Sequence, residues 1–405
     1  MMTLEEFKDA RSLLDGVIAK TPLVPSAYFS DACGNNVYLK PENLQLTGSF
    51  KIRGAYYMIS RLGDSERERG VVAPSSGNHG LAVACAAQTF GVRAIIVLPT
   101  TTPLMHVDHV KQYGAEVVLA GTSLDEATNE AKKLAKARGL SYVAPYDNLD
   151  IAVGHGTMAF EILEELPETD IILVPVGGGG LIAGVATLAK ALKPDVQIVG
   201  VEPEGSACMK AAFAAGHPVT IENSATIADA VGAATVGERV FPYAHKYVDK
   251  IITIDDSKLV DAFLDVMENH KLIVENAGLL TVAALEHLGA HGKNVVAVLS
   301  GGNMDVITMS TLIQHGLINR GRVFEFSVML PDRPGELLRV AEIISDERGN
   351  IIKLDHNQFV SIDRQRRVEL RVTLEAYGIE HRNAILKALQ DAGYGARLIT
   401  VKSVN

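Results

Sequence analysis

The stretch TGSFKIRGA, residues 47–55, puts a lysine where a solvated cation has little reason to be: Lys51 lies between Phe50 and Ile52, just after a Gly-Ser turn. Burial disfavours the charged form of an amine, and a lysine whose pKa falls becomes a nucleophile able to form a Schiff base with a carbonyl. The bland alternative is a surface lysine at a helix start. In VPVGGGGLIAG, Gly177, Gly178, Gly179 and Gly180 follow an apolar run and open an apolar helix. Backbone N–H groups bare of side chains can close on a phosphate there, and the helix dipole adds to the attraction. The loop does not say which phosphate. Gly178, Gly180 and Ala183 also satisfy the dinucleotide pattern G-x-G-x-x-A, with the acidic Glu202 farther on, and tight helix-on-strand packing is a third reading. PSSGNHG, residues 74–80, offers small hydroxyls, amide donors and free N–H groups at the start of the helix LAVACAAQTFG. That is a cradle for a carboxylate, with Asn78 able to bond a cofactor hydroxyl, or else a plain helix cap. In VLSGGN, Ser300 ends an apolar run and reads as a cap or a polar contact. A desolvated amine near a phosphate site suits a phosphate-bearing carbonyl cofactor.

The elements that must position these loops alternate along the chain. VRAIIVLP precedes TPLMHVDHVKQYG, and AEVVLAG precedes SLDEATNEAKKLAKARG. DIILVPV leads into GLIAGVATLAKAL, VQIVGVEP into GSACMKAAFAAG, and KNVVAVLS closes the series. Apolar strands bounded by Gly or Pro and separated by amphipathic helices predict parallel sheets with crossover helices. Ligands of such sheets sit at the carboxyl ends of strands, where the glycine-rich loops fall, so one composite site is expected. After about Asn319–Arg322 the texture becomes βαββαβ in about 80 residues, a ferredoxin-like module of independent size.

Composition narrows the function classes. The 405 residues are 47% apolar and 21% charged, with net charge −10, which argues against nucleic acid as a partner. Cys33, Cys85 and Cys208 are too few and too scattered for a disulfide framework, so a reducing compartment is expected. MMTLEEFKDARSLLDG is charged and amphipathic, and no apolar run reaches the roughly 18 residues a membrane helix needs. The expectation is a soluble, cytoplasmic protein with no membrane or nucleic-acid partner.

SFKIRGA, SSGNHG, GGGGL and SGGN, in that order, with LPTTTP, GAEVVL, TIADAV and VENAG as weaker supports, resemble the fold-type II pyridoxal-phosphate enzymes. Within them the chain is similar to the threonine/serine dehydratase (ammonia-lyase) and serine racemase group, from about residue 5 to 320. The resemblance implies two open parallel-sheet α/β subdomains in residues 1–320, the smaller at about 46–150 and inserted in the larger. It implies pyridoxal 5′-phosphate, with Lys51 as the Schiff-base lysine and Phe50 beside the cofactor ring. Asn78 would contact the 3′-hydroxyl, Gly177, Gly178, Gly179, Gly180 and Leu181 would hold the phosphate, and Ser300 would face the pyridine nitrogen. The substrate carboxylate would lie against Ser75, Ser76, Gly77, Asn78 and His79. A neutral serine at the ring nitrogen draws charge less deeply into the ring than a carboxylate would, which favours loss of a β-hydroxyl. Conversion of threonine to 2-oxobutanoate and ammonia, with serine as a secondary substrate, is therefore the expected activity. Serine racemisation or elimination from 3-hydroxyaspartate is the alternative, and a non-catalytic amino-acid sensor is a third reading, disfavoured by the intact Lys51 motif.

Three positions depart from the usual pattern. Ser76 stands where many dehydratases have alanine, and racemases use such a hydroxyl as the acid/base on the opposite face, so Ser76 is a second catalytic candidate. Cys208 replaces the second acid of a divalent-cation site that Glu202 would begin, which weakens a tight magnesium site, so no metal ligands are assigned and a monovalent ion or none are the alternatives. His155 stands where glutamine is more usual, a change in substrate choice or in packing. His106 and His109, at i,i+3, lack further ligands and read as a solvated helix face. The tail, residues 322–405, resembles an ACT domain through LPDRPGELLRVAEII and RGNII. That implies an amino-acid effector beside Asp332, Arg333, Pro334, Gly335, Glu336 and Leu337, with inhibition by isoleucine or valine as the hypothesis and a purely structural or dimerising module as the alternative. The family resemblance further implies a homodimer or homotetramer.

Overall fold

A computed structural model describes residues 1–222, 225–357 and 368–399. It divides into two compact units, Met1–Asp305 and Val306–Asn405. The first unit holds two sheets. Strands β1 (Val24–Ser26), β2 (Asn36–Pro41), β3 (Val71–Pro74), β4 (Ala94–Leu98), β5 (Glu116–Leu119), β6 (Ser141–Tyr142), β7 (Ile171–Pro175), β8 (Gln197–Pro203), β9 (Lys250–Ile254) and β10 (Asn294–Leu299) appear in chain order. The larger sheet runs β1-β2-β10-β7-β8-β9 and is parallel except for the β1–β2 pair. The smaller runs β5-β4-β3-β6 and is parallel throughout. Every residue of AIIVL in β4 and IILVP in β7 is buried, because helices cover both faces of each sheet. That is why these strands read as unbroken apolar runs rather than as alternations.

The helix that Lys51 opens packs closely against a second helix. The helix Lys51–Ser60 crosses the helix Leu149–Gly156 at glycines: a Cβ on Gly154 would lie 2.6 Å from Gly54 Cα, and one on Gly54 would lie 2.5 Å from Ile151 O. No larger residue fits at either point. The start of the Lys51 helix is further pinned by Arg53, fully buried, whose guanidinium bonds Glu42 at 2.7 and 2.8 Å and Glu161 at 2.5 and 2.9 Å. Lys40 reaches the same Glu161 at 2.5 Å and Thr21 O at 2.7 Å. Two buried cations thus face two carboxylates, so the cluster is neutral overall.

The second unit begins with the helix Val306–Asn319. Then follow β11 (Val323–Leu330), the helix Glu336–Asp346, β12 (Asn350–Asn357), β13 (Val368–Glu375), the helix Ile379–Asp391 and β14 (Arg397–Ile399). The antiparallel order β12-β13-β11-β14 is the split βαββαβ arrangement. Phe324, Phe326, Val328 and Leu330 alternate inward on β11, as do Val368, Leu370, Val372 and Leu374 on β13, packing on Val340, Ile344, Ile385 and Leu389 of the two helices. No helix among the described residues is long and apolar enough to cross a membrane.

Candidate active site

Three turns meet at the carboxyl ends of β3, β7 and β10. The TGSFK turn is fastened to the SGGN turn by backbone: Phe50 N–H donates to Ser300 O at 3.0 Å, and Gly302 N–H donates to Gly48 O at 2.9 Å. Gly48 has φ +70°, and a Cβ there would lie 2.3 Å from Asn303 Oδ1, so conformation and space both demand glycine. Phe50, Lys51, Ser75 to His79, Gly177 to Leu181 and Ser300 all line one cleft.

Lys51 opens its helix, and its Nζ donates to Pro145 O at 2.9 Å, with Nζ 5.2 Å from the centre of the Phe50 ring. Burial lowers its pKa to about 8, partly opposed by the negative charge of Glu275. Glu275, which no motif singled out as a site residue, is buried beside it. Its carboxyl is pushed up to about 7 by burial, against the hydrogen bonds of Asn78 Nδ2 at 2.7 and 2.9 Å. Asn303 Nδ2 in turn donates to Asn78 Oδ1 at 2.7 Å and to Thr47 O at 2.8 Å. The orientation of the Asn78 amide is thereby set from both ends. Pro145, Tyr146 and Asp229 also line the cleft without having been legible as site residues.

The glycine turn offers bare donors. The N–H groups of Gly177 to Leu181 have no acceptor among the described residues, and the helix Gly180–Leu192 begins there. A Cβ on Gly178 would fall 2.2 Å from the Tyr146 ring, and one on Gly177 would fall 2.9 Å from Val231 Cα. Unclaimed N–H donors at a helix start, on a turn that tolerates no side chain, fit a phosphate, and the amine of Lys51 in the same cleft fits its aldehyde.

The SSGNHG turn divides its labour. Ser75 Oγ accepts from Gly77 N–H at 2.9 Å and Gly80 N–H at 2.8 Å, so this hydroxyl is engaged in the turn itself. The N–H groups of Ser76, Asn78 and His79 have no acceptor among the described residues and remain for an anion. Ser76 is half-buried at the cleft wall. His79 Nε2 donates to Val143 O at 3.1 Å, which leaves Nδ1 as a buried acceptor without a partner among the described residues. Burial and the Lys51 charge bring its pKa down to about 3, so the ring is neutral.

Glu202 accepts from Met209 N–H at 2.7 Å and Lys210 N–H at 2.9 Å, and burial raises its pKa to about 7. The Cys208 thiol donates to Gly177 O at 3.6 Å, tying this corner to the glycine turn. Among the described residues no group of three His, Cys, Asp or Glu side chains is placed to hold a metal ion, His106 and His109 included. In the second unit, Asp332, Arg333, Pro334, Gly335, Glu336 and Leu337 line a separate cavity with His356 and Val368. Glu336 there accepts from Arg333 at 2.8 Å and Tyr394 at 3.0 Å.

Residues 14–301 match the family described as "Pyridoxal-phosphate dependent enzyme". An L-threonine ammonia-lyase of Thermotoga maritima is 38% identical over 400 residues, covering 98% of this chain and 100% of the relative. Among solved structures, threonine deaminase isoform 2 from Solanum lycopersicum is 37% identical with TM-score 0.73, over 76% of this chain and 87% of that one. Maize serine racemase is 33% identical with TM-score 0.73, over 78% of this chain and 98% of that one.

Proposed function

The chain belongs to the pyridoxal-phosphate dependent enzymes, and from that footing we propose that it is an L-threonine ammonia-lyase, forming 2-oxobutanoate and ammonia, with serine as a secondary substrate. The observation that carries the reading is the half-buried Lys51 amine, lowered to about 8, in one cleft with five unclaimed glycine-turn N–H groups. Its match to a named L-threonine ammonia-lyase over nearly the whole of both chains supports the substrate.

Pyridoxal phosphate, when bound, supplies a carbonyl for imine formation and an electron sink that makes the substrate's α-proton removable. Gly177 to Leu181 would hold its phosphate, Phe50 would flank its ring, and Asn78 and Ser300 would address its hydroxyl and ring nitrogen. A pKa near 8 leaves a useful fraction of the Lys51 amine unprotonated at neutral pH, first as nucleophile and then as the base that takes the α-proton on Nζ. The same nitrogen then has a proton to give to the departing β-hydroxyl, which leaves as water. The N–H groups of Ser76, Asn78 and His79, with the Asn78 side chain, would hold the substrate carboxylate. The Ser300 hydroxyl is neutral, so it does not keep the ring nitrogen protonated, and elimination is favoured over deeper charge delocalisation.

Borohydride reduction with peptide mapping, followed by keto-acid release from L-threonine, L-serine and 3-hydroxyaspartate, tests this reading. An adduct on Lys51 and turnover highest on L-threonine are expected. An unlabelled Lys51 would sink it. Ser76 favours one second reading: its hydroxyl lines the cleft, and a serine racemase is among the similar structures, so D-serine production is to be measured in the same panel.

We further infer that the βαββαβ unit is an ACT-type regulatory domain binding a branched-chain amino acid at Asp332 to Leu337. Its support is the cavity beside the loop that precedes the helix Glu336–Asp346. Initial rates with and without isoleucine or valine, before and after deletion of residues 322–405, test it: inhibition that survives the deletion refutes it. The same reading takes the protein as a cytoplasmic homodimer or homotetramer, which light scattering checks. All three cysteines are free, in keeping with a reducing compartment.

A further inference from the structure

We propose that His155 is a specificity-determining donor of the cleft: its Nε2–H serves an anionic oxygen of the bound ligand beside the Lys51 amine. The assignment starts from the other ring nitrogen. Gly54 N–H donates to His155 Nδ1 at 3.1 Å, so Nδ1 carries a lone pair and the ring proton sits on Nε2. The helix crossing enforces this, since a Cβ on Gly54 would lie 2.5 Å from the imidazole and the ring cannot back away. His155 is 1% exposed and lines the cleft, and its Nε2 has no partner among the described residues. A buried N–H left without an acceptor costs stability, so its retention in a packed site points to an acceptor that arrives with the ligand. The ring meets Phe50 edge-on at 4.6 Å between centroids, and Lys51 Nζ lies 5.2 Å from the same Phe50 ring, so the imidazole and the reacting amine share a neighbour and line one cleft.

The consequence is selectivity. A glutamine at this position would present both a donor and an acceptor. An imidazole locked by Gly54 presents only a donor, which pairs most strongly with a carboxylate or phenolate oxygen and offers nothing to a group that can only donate, such as an ammonium. Burial and the Lys51 charge hold the ring neutral, so it does not compete with Lys51 as a cation. The oxygen has two sources, the substrate carboxylate and the cofactor.

This inference rests on the pyridoxal-phosphate reading, and the test separates the two. His155→Asn keeps an acceptor where Nδ1 is and removes the Nε2–H donor; His155→Gln does the reverse. Cofactor-free protein is titrated with pyridoxal phosphate by absorbance, and KM and kcat for L-threonine are measured on the loaded enzyme. His155→Asn is expected to weaken one of these affinities by about 10- to 100-fold, while His155→Gln stays within about 3-fold. A weaker cofactor affinity identifies the cofactor oxygen. A raised KM at unchanged cofactor affinity identifies the substrate carboxylate. If His155→Asn binds both at least as well as His155→Gln, the proposal is overturned and His155 is merely the acceptor for Gly54. Imidazole ¹⁵N resonances of the cofactor-free wild type need no variant: an Nε2–H tautomer is expected, and an Nδ1–H tautomer overturns the assignment. Failure of the wild type to take up pyridoxal phosphate would refute the proposed function while leaving the tautomer result standing.

Discussion

Arg53→Met tests what holds the Lys51 helix in place. Arg53 and Lys40 are fully buried against Glu42 and Glu161, and the four charges cancel. Removing the guanidinium leaves two carboxylates facing one ammonium, with a net buried charge of −1, and among the described residues Glu42 retains only the Thr21 hydroxyl at 2.6 Å. Breaking a buried pair from one side costs about 3–5 kcal/mol, because the abandoned charge stays desolvated. Unfolding entropy near 2.1 cal/mol/K per residue over Met1–Asp305 is roughly 0.6 kcal/mol/K, so the cofactor-free protein should melt about 5–8 °C lower. Differential scanning calorimetry reads this directly. Arg53→Met combined with Glu42→Gln restores neutrality and should recover part of the loss, a coupling that a double-mutant cycle isolates. The reasoning fails if Arg53→Met melts within about 1 °C of wild type, or if the double variant is no more stable than the single one.

Three further outcomes follow from the site. Lys51, reductively methylated with ¹³C and titrated by NMR in the cofactor-free protein, should show a midpoint near 8, far below a surface lysine; Glu275→Gln should lower it further by removing the opposing charge. Because the unfolded chain keeps that proton up to about 10.5 and the folded chain releases it near 8, the Lys51 contribution to stability rises with pH between those values, and denaturant midpoints of wild type and Lys51→Met should converge there. Gly178→Ala puts a methyl 2.2 Å from the Tyr146 ring and should weaken pyridoxal phosphate binding by about 100-fold or more, equivalent to roughly 3 kcal/mol, as read by absorbance titration; unchanged affinity would mean the turn does not carry the phosphate.

What could be read from the sequence was whatever is contiguous. TGSFK, SSGNHG, GGGG and SGGN each pack several constrained residues into one turn, and the last three each follow an apolar run that reads as a buried strand. The residues that escaped notice are single polar groups whose meaning comes from distant chain. Glu275 lies 197 positions from its partner Asn78, and Asn303 lies 225 positions from it. In sequence, VENAG supports the family resemblance without marking its glutamate as a site residue, and APY gives no sign of Pro145 or Tyr146. Arg53, Lys40, Glu42 and Glu161 escaped for a related reason: a charged residue is read as solvated until its counter-charge is seen, and here the counter-charges arrive from elsewhere in the chain. One signal was available, an acidic residue between the apolar LIV and the small residues NAG, because a carboxylate in such company has to find a buried partner. His155 shows the limit most sharply. Its identity marked a departure, but its role turns on which ring nitrogen Gly54 occupies, and no spacing rule encodes a tautomer.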